Sequence, residues 1–336
     1  MTNHIQILSV HIQLLNELHF KRKRHVGRMM RELNSLLVGA GQQLSESQKK
    51  RIAVYTVLGL YVNSCFAALR GRKLGKTEIR NTLHLSILTP LLDDLTDILK
   101  LSSSEILEQL NNYKGGHAPE MLLPKYLYDQ IRDNCNKDLF YQTFRQALIA
   151  QDESLLQLEA PRLSDEQLSK ITYEKGSIWT VLFRLMLTGS LKANEQEAIL
   201  LFGHLIQLTN DMYDVYKDLQ NGQQTLFTNT HDIRHQEQEY DQLIESMTQA
   251  FLSLDHEQKH IKKCLRKLSV ITSLGKLCLE QLKSRQAKTN NIFIPASYTR
   301  SQLVCDMEKW SNRRRYVGLQ LEVGRLISRL INLHYK

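Results

Sequence analysis

The chain has 336 residues, and its 44 Lys and Arg against 35 Asp and Glu give a formal net charge of +9. Hydrophobic residues make up 42 %, enough for a sizeable core, while only 5 Pro and 15 Gly interrupt the chain. This composition argues against collagen-like, low-complexity and turn-rich all-β classes. The five cysteines are widely spaced and form no CxxC pair, which indicates reduced thiols and excludes a disulfide framework or zinc site of the usual spacing.

The basic residues lie mainly at the two ends of the chain. Residues 1–40 carry six Lys and Arg against two Glu, residues 300–336 carry eight against three acidic residues, and the middle is neutral overall. Basic ends predict an anionic partner, which could be a phosphate-bearing small molecule, a nucleic acid or an acidic membrane surface. No apolar stretch approaches the ~18–20 residues of a membrane span and no signal peptide is evident, so we expect a soluble, cytoplasmic protein.

Apolar residues recur at spacings of three and four, which predicts helices throughout. In chain order we expect a central helix over 47–70, a helix from Thr77 to about Leu101 kinked at Pro90, and a short helix capped by Ser102 with Glu105. A loop follows over 113–122. The first part of the chain is completed by helices over 124–135 and 138–158.

The second part continues the helical pattern. Ser164 with Gln167 is expected to cap a helix that Gly176 breaks, and Asn194 with Glu197 to cap a long helix ending near Gln220. Further helices are predicted over 232–254, over 256–286, and from Thr299 with Gln302 to the C-terminus. With no repeat or linker, these elements predict an all-α, single-domain bundle (1–336) of about ten to twelve helices, on which a basic N-terminal helical segment (1–45) packs.

The first acidic cluster, Asp93-Asp94-Leu95-Thr96-Asp97, follows Pro90 on an otherwise apolar helix. Asp93 and Asp97 are four residues apart and so share a helix face, while Asp94 is about 100° round. Two carboxylates one turn apart repel each other unless a cation lies between them. A divalent metal with oxygen ligands would serve, and a solvated acidic patch is the alternative.

The second cluster runs from Gln207 to Asp218 on a helix that is largely apolar before it. Asn210, Asp214 and Asp218 recur every four residues and form one oxygen-bearing stripe, with Asp211 partly off it. Carboxylates continuing from a buried helix are costly unless their charge is compensated. If the two helices face each other across a central cavity, their oxygen ligands and Mg²⁺ ions could hold a diphosphate between them.

At this point the sequence resembles the class I isoprenoid (terpene) synthases. Residues 93–97 match their aspartate-rich DDxxD motif, and 210–218 are similar to the NDxxSxxKE motif of bacterial terpene synthases, with Asp214 and Asp218 replacing the usual Ser or Thr and Glu. Residues 310–316 resemble the terminal Arg-Tyr pair of that family. The resemblance implies the isoprenoid synthase fold, about three Mg²⁺ ions, and a lyase or transferase that ionises a prenyl diphosphate and cyclises or rearranges the carbocation.

The resemblance also assigns roles to residues of this chain. The implied metal ligands are Asp93, Asp94, Asp97, Asn210, Asp214 and Asp218. The residues implied to grip the diphosphate are Lys217, Arg315 and Tyr316 as catalytic groups, with Arg314 as a further substrate contact. The family also uses an upstream basic residue as a diphosphate sensor, for which the candidates are Arg162, Lys175 and Arg184. The carbocation needs an apolar cavity with aromatic faces, for which the candidates are Phe66, Trp179, Phe183, Phe202 and Tyr213.

Other functions fit parts of the same pattern. Residues 207–222 also resemble a segment of squalene and phytoene synthases, which join two prenyl diphosphates head to head, and 210–214 could be the second motif of a chain-elongating synthase. A non-catalytic helical binding protein is an alternative from another class, although no helix-turn-helix or zinc-finger spacing indicates a nucleic-acid binder. A homodimer and peripheral membrane contact, for which Lys21 to Arg24 is one candidate, complete the expected partners.

Overall fold

The computed structural model describes residues 22–113, 118–159 and 161–335, which are helical almost throughout and contain no strand. The predicted all-α class is therefore confirmed. The α-helices are α1 (Arg22–Gly39), α2 (Glu46–Leu69), α3 (Lys76–Asp97), α4 (Ser103–Asn112), α5 (Leu122–Arg132), α6 (Lys137–Ser154), α7 (Leu156–Glu159), α8 (Asp165–Leu185), α9 (Ala193–Gln220), α10 (Leu226–Asn229), α11 (Ile233–Leu252), α12 (Gln258–Gln286), α13 (Arg300–Leu303) and α14 (Trp310–His334).

The long helices run alternately up and down, so the bundle has two distinct ends. One end gathers the C-terminal residues of α3, α6, α9 and α12 with the loops that follow them; we call it the site end because both acidic clusters lie there. Contacts that tie this end together are Gln48–Asp94, Ser103–Asp152, Gln157–Gln224 and Ile233–Gln286. The opposite end is joined by Arg70–Glu195, Lys192–Asp255 and the cation–π contact Lys262–Tyr335.

Two hydrophobic clusters form the core. One is built mainly from α2, α8, α9, α11, α12 and α14. The other is built mainly from α1 and α3 to α6, and in it Met29, Leu33 and Leu37 of α1 are buried. Phe183 of α8 packs against both clusters. The α1 helix thus packs on the bundle, whereas residues 1–21 and the side chains of Arg22, Lys23 and Arg24 lie outside the described part of the chain.

The predicted break of α8 at Gly176 is wrong, because the helix continues from Asp165 to Leu185. A Cβ added at Gly176 would lie 2.4 Å from the carbonyl oxygen of Gly203 and 2.5 Å from Cβ of Gln207. The glycine is therefore required where α8 and α9 approach each other closely, and this contact fixes which face of α9 points inward.

Three other boundaries differ from the prediction. α3 ends at Asp97, and Lys100 beyond it has a positive φ of 58°. The Thr299–Gln302 cap starts only the one-turn α13, because Val304 is extended, and the last helix begins at Trp310. Lys192 is the N-cap of α9 in place of Asn194.

The central helix α2 is long and apolar enough to span a membrane by length and composition, the single such helix among the described residues. Of its most apolar window, 61 % is buried against the rest of the bundle, so core packing accounts for that composition.

Candidate functional site

The first acidic cluster places Asp93 towards the interior of the bundle. Its Oδ2 accepts a hydrogen bond from the hydroxyl of Tyr55 on α2 over 3.3 Å. Burial raises the pKa of Asp93 to about 6 against the opposing charge of Lys175 on α8, and the carboxylate of Asp97 adds to the rise. Asp97 itself is exposed at the end of α3.

Asp94 has different surroundings. The guanidinium of Arg51 donates to its Oδ1, and Nε2 of Gln48 donates to its Oδ2 over 3.0 Å. It lines a cavity of about 520 Å³ between α1, α3 and α5, together with Leu37 and Pro124. Asp94 is thus engaged in an ion pair and faces a cavity other than the space between α3 and α9.

Helix α9, which carries the second acidic cluster, is turned about its axis relative to the prediction. Asn210 is exposed, whereas Asp211 is 5 % exposed and accepts hydrogen bonds from Gln207 over 2.8 Å and from Thr172 of α8 over 3.3 Å. The expectation that Asn210 faces the other cluster and Asp211 lies off the stripe is therefore not met. The cause is the close contact of α8 with Gly203, since positions 203, 207 and 211 share one helix face.

Asp214 and Asp218 continue this inward face. Asp214 is half-buried with its Oδ2 3.3 Å from Nζ of Lys217, whose own side chain is 68 % exposed. Asp218 is 4 % exposed. Burial, followed by the charges of Asp211 and Asp214, raises the pKa of Asp218 to about 7. The three carboxylates therefore repel one another in the absence of a cation.

Lys175 and Tyr55 join the two clusters. The positive charge of Lys175 opposes the rise in pKa of Asp93, of Asp211 and of Asp218, so the ammonium lies within electrostatic reach of both acidic helices. Its Nζ is 3.4 Å from Oγ of Ser154. The charge of Asp93, with burial, raises the pKa of Tyr55, and Asp214 adds a smaller rise.

The carboxylate oxygens suit a hard divalent cation such as Mg²⁺, and such an ion would offset the burial and the mutual repulsion that raise the pKa values of Asp93, Asp211 and Asp218. Within the described ranges, no three Asp, Glu, His or Cys side chains converge closely enough to hold a metal ion. The match to Mg²⁺ is therefore one of donor chemistry and charge, and concerns Asp93, Asp211, Asp214 and Asp218.

The C-terminal residues lie elsewhere. Arg315 forms ion pairs with Glu280 and Glu322, and Tyr316 is buried and donates its hydroxyl hydrogen to the carbonyl of Val270 over 3.1 Å. Both residues thus hold α14 against α12. The neighbouring Arg314 is exposed to solvent.

Arg184 is also remote from the acidic clusters. It is fully buried near the opposite end of the bundle, where its Nε donates to Glu195 over 2.6 Å and Nη2 donates to the carbonyl of Ser190 over 3.1 Å. Its predicted contact with a diphosphate is not compatible with this burial and pairing.

The aromatic candidates divide into two groups. Phe66 and Phe202 are fully buried and pack edge to face with centroids 6.3 Å apart, so they belong to the core. Tyr213 faces the thiols of Cys278 and Cys305, away from α3, and burial with these thiols raises its pKa. Trp179 and Phe183 are half-buried on α8 below Lys175, and they remain candidates to line a cavity.

Sequence reasoning missed Arg51, Tyr55, Thr172 and Gln207. Arg51 and Tyr55 are four residues apart at the start of a largely apolar helix, a polar pair on one face that could have indicated a contact with the acidic cluster. Thr172 and Lys175 are three residues apart on α8 and also share a helix face.

Comparison with protein-family models, with curated proteins and with solved structures finds no match to this chain.

Proposed function

We propose that the chain is a Mg²⁺-dependent enzyme that ionises an allylic prenyl diphosphate, releases pyrophosphate, and cyclises or rearranges the carbocation. The observation that carries the proposal is the position of α8 between the two acidic clusters: its Thr172 donates to Asp211 over 3.3 Å, and its Lys175 is within electrostatic reach of Asp93 on α3 and of Asp211 and Asp218 on α9. Acidic groups of raised pKa in one cleft are typical of functional sites.

A diphosphate is the ligand that this arrangement suits, given divalent cations between the carboxylates. Mg²⁺ would neutralise the leaving group as the carbon–oxygen bond breaks. In this proposal Asp93, Asp214 and Asp218 hold the ions, Asp211 replaces Asn210 as the inward polar group, and Lys175 donates to a phosphate oxygen. Lys175, and neither Arg184 nor Arg315, is the proposed contact to the diphosphate, because the two arginines are already paired with carboxylates.

Tyr55 and Thr172 act on the carboxylates in this proposal. Tyr55 donates to Asp93 and thereby favours its ionised form, and Thr172 does the same for Asp211. Deeper in the bundle, Trp179 and Phe183 offer aromatic faces to a carbocation, each contributing about 0.5–2 kcal/mol.

The test is pyrophosphate release from allylic diphosphates of ten, fifteen and twenty carbons, in Mg²⁺ or in EDTA, with extracted products identified by mass. We expect Mg²⁺-dependent release that falls at least about 100-fold in Asp93→Asn and in Asp218→Asn. Asp255→Asn is the matched control, since Asp255 is exposed at the opposite end of the bundle.

The products separate the remaining alternatives. A cyclic or rearranged hydrocarbon or alcohol of unchanged carbon number supports the proposal, and a product of doubled carbon number indicates head-to-head condensation. Release that needs added isopentenyl diphosphate indicates chain elongation. Absence of release with every substrate combination would leave a non-catalytic binding protein.

A further inference from the structure

The loop between α12 and α14, together with the first turn of α14, forms an exposed basic and apolar surface at the site end. We call residues 287–314 the cap. Three of its large apolar side chains are turned to solvent: Ile292 is 51 % exposed, Ile294 is 44 % exposed and Trp310 is 78 % exposed. Large apolar side chains that are exposed repeatedly within one loop segment are candidates for an interaction surface.

The cap is held rigidly, so these side chains are presented by the fold. Phe293, between the two isoleucines, is fully buried, and its N–H donates to the carbonyl of His231 over 2.8 Å. Nε2 of Gln281 donates to the carbonyls of Gln302 and Val304 over 3.0 and 2.9 Å. Burial of Phe293 therefore fixes its two neighbours, Ile292 and Ile294, on the solvent side.

The charge of the cap is strongly positive. It contains five basic and two acidic residues, and the five basic side chains are all exposed. Within the described chain none of the five forms an ion pair with a carboxylate; they are Lys288, Arg300, Lys309, Arg313 and Arg314. Cations interspersed with a tryptophan and isoleucines match the interface of an anionic bilayer, where the indole and aliphatic groups enter the headgroup region and cations meet lipid phosphates.

Other exposed apolar side chains lie on loops of the same end. Ile98 and Leu99 follow α3 and are 69 % and 45 % exposed, and Leu156 and Leu158 on the one-turn α7 are 49 % and 45 % exposed. The described loops of the opposite end, over 70–75, 133–136, 186–192 and 253–257, carry no large apolar side chain of comparable exposure, although the end of α14 there exposes Leu333 at 61 % and Tyr335 at 42 %. The apolar loops of the site end, together with the positive charge of the cap, favour docking with the site end towards the surface.

We propose that the cap docks the protein on an anionic lipid bilayer, with Trp310, Ile292 and Ile294 inserted among the headgroups. The docking itself does not depend on catalysis. Its value to the protein rests on the proposed function, since an amphiphilic prenyl diphosphate enters from the membrane surface and a lipophilic product returns to it, both at the end of the bundle that carries the acidic clusters.

The experiment is co-sedimentation of the full chain, without Mg²⁺ or substrate, with vesicles of phosphatidylcholine alone or mixed with phosphatidylglycerol. We expect binding to the mixed vesicles alone, weakening as salt is raised. Each cation at such a surface contributes about fivefold in affinity, so Arg313→Glu with Arg314→Glu should lower affinity at least about 25-fold. Arg325→Glu with Arg329→Glu is the matched control, because it makes the same charge change on the exposed far part of α14.

Fluorescence gives a second readout that a general charge effect would not produce. The chain has two tryptophans, so Trp179→Phe leaves Trp310 as the reporter. We expect its emission to shift to the blue and to be quenched by brominated lipid on mixed vesicles, and Ile292→Ser with Ile294→Ser to weaken binding even at low salt.

Several outcomes would overturn the proposal. These are no binding to mixed vesicles, equal loss in the two double-Glu variants, or an unchanged Trp310 emission on bound protein. A dimer that Trp310→Ala converts to a monomer, with no vesicle binding, would assign the cap to a second copy of the chain. Because the assay contains no substrate, a catalytically inactive protein that binds vesicles sustains the docking while refuting the proposed reaction.

Discussion

The hydroxyl of Tyr55 donates a hydrogen bond to Oδ2 of Asp93 over 3.3 Å. This bond links α2, the central apolar helix, to the first acidic cluster. The pKa of Tyr55 also responds, more weakly, to Asp214 on α9. The Tyr55 hydroxyl is therefore bonded to one acidic cluster and within electrostatic reach of the other.

Replacement of Tyr55 by Phe should shift the pH dependence of activity. The hydrogen bond lowers the pKa of Asp93, which burial holds at about 6, so its loss raises that pKa further. A hydrogen bond to a charged group contributes about 1.5–3 kcal/mol. We expect Mg²⁺-dependent pyrophosphate release to fall about tenfold or more at pH 6 and less at pH 8, measured as kcat/KM against pH.

Tyr141→Phe is the control for this substitution, since Tyr141 is 41 % exposed on α6. If Tyr55→Phe lowers activity equally at every pH and lowers the melting temperature in parallel, the hydroxyl has a structural role only.

Asp218→Asn should stabilise the protein at pH 8. The folded-state pKa of Asp218, about 7, lies above its ordinary value of 3.8. A carboxyl group whose pKa is raised on folding stabilises the folded state relative to the unfolded state at low pH. This contribution to stability is fully present below pH 3.8 and is lost as the pH rises through 7. The neutral amide avoids that loss, so we expect a higher melting temperature than the wild type at pH 8, little difference at pH 4, and loss of pyrophosphate release.

Asp232→Asn provides a control of opposite sign. Asp232 caps α11, and hydrogen bonds from Gln286 lower its pKa, so its replacement should lower the melting temperature at pH 8. A destabilised Asp218→Asn variant at pH 8 would show that protein groups compensate the charge of Asp218, which then needs no cation.

Mg²⁺ should raise the melting temperature of the wild type at pH 8 and have less effect on Asp218→Asn.

The sequence predicted the helical class because helix formation depends on local spacing. The periodicity of α2 gives its bounds to within one residue, and the i, i+4 rule pairs Asp93 with Asp97. The orientation of α9 about its own axis could not be predicted from local spacing, because Asn210 and Asp211 are equally polar. What decides between them is the contact of Gly176 with Gly203, which joins residues distant in sequence.

The roles of the basic side chains likewise depend on contacts between helices that are distant in sequence. Arg184, Arg315 and Lys175 are indistinguishable as basic residues on helices. Arg184 and Arg315 are paired with carboxylates of neighbouring elements, and Lys175 faces the acidic clusters. Such pairing depends on helix packing that a single sequence does not display.

Gly176→Ala should destabilise the fold even though alanine favours helices. The added Cβ would lie 2.4 Å from the carbonyl oxygen of Gly203, and overpacking of this kind costs about 1–3 kcal/mol. We expect a lower urea midpoint with an unchanged m-value. Gly39→Ala is the matched control, since a Cβ there meets nothing within 4 Å, and an equal loss of stability in both variants would refute the close contact between α8 and α9.

Glu195→Gln tests the assignment of Arg184 to structure. Glu195 is 2 % exposed and accepts from both Arg184 and Arg70, so the amide leaves a buried guanidinium without its counter-charge. Breaking a buried pair in this way costs about 3–5 kcal/mol. We expect a large fall in the urea midpoint, with the Mg²⁺ dependence of pyrophosphate release retained at low temperature. Glu322→Gln, which removes a half-exposed partner of Arg315, should change stability little. A Glu195→Gln variant of normal stability would refute the structural role of the pair, and loss of activity at normal stability would show that the pair serves the reaction.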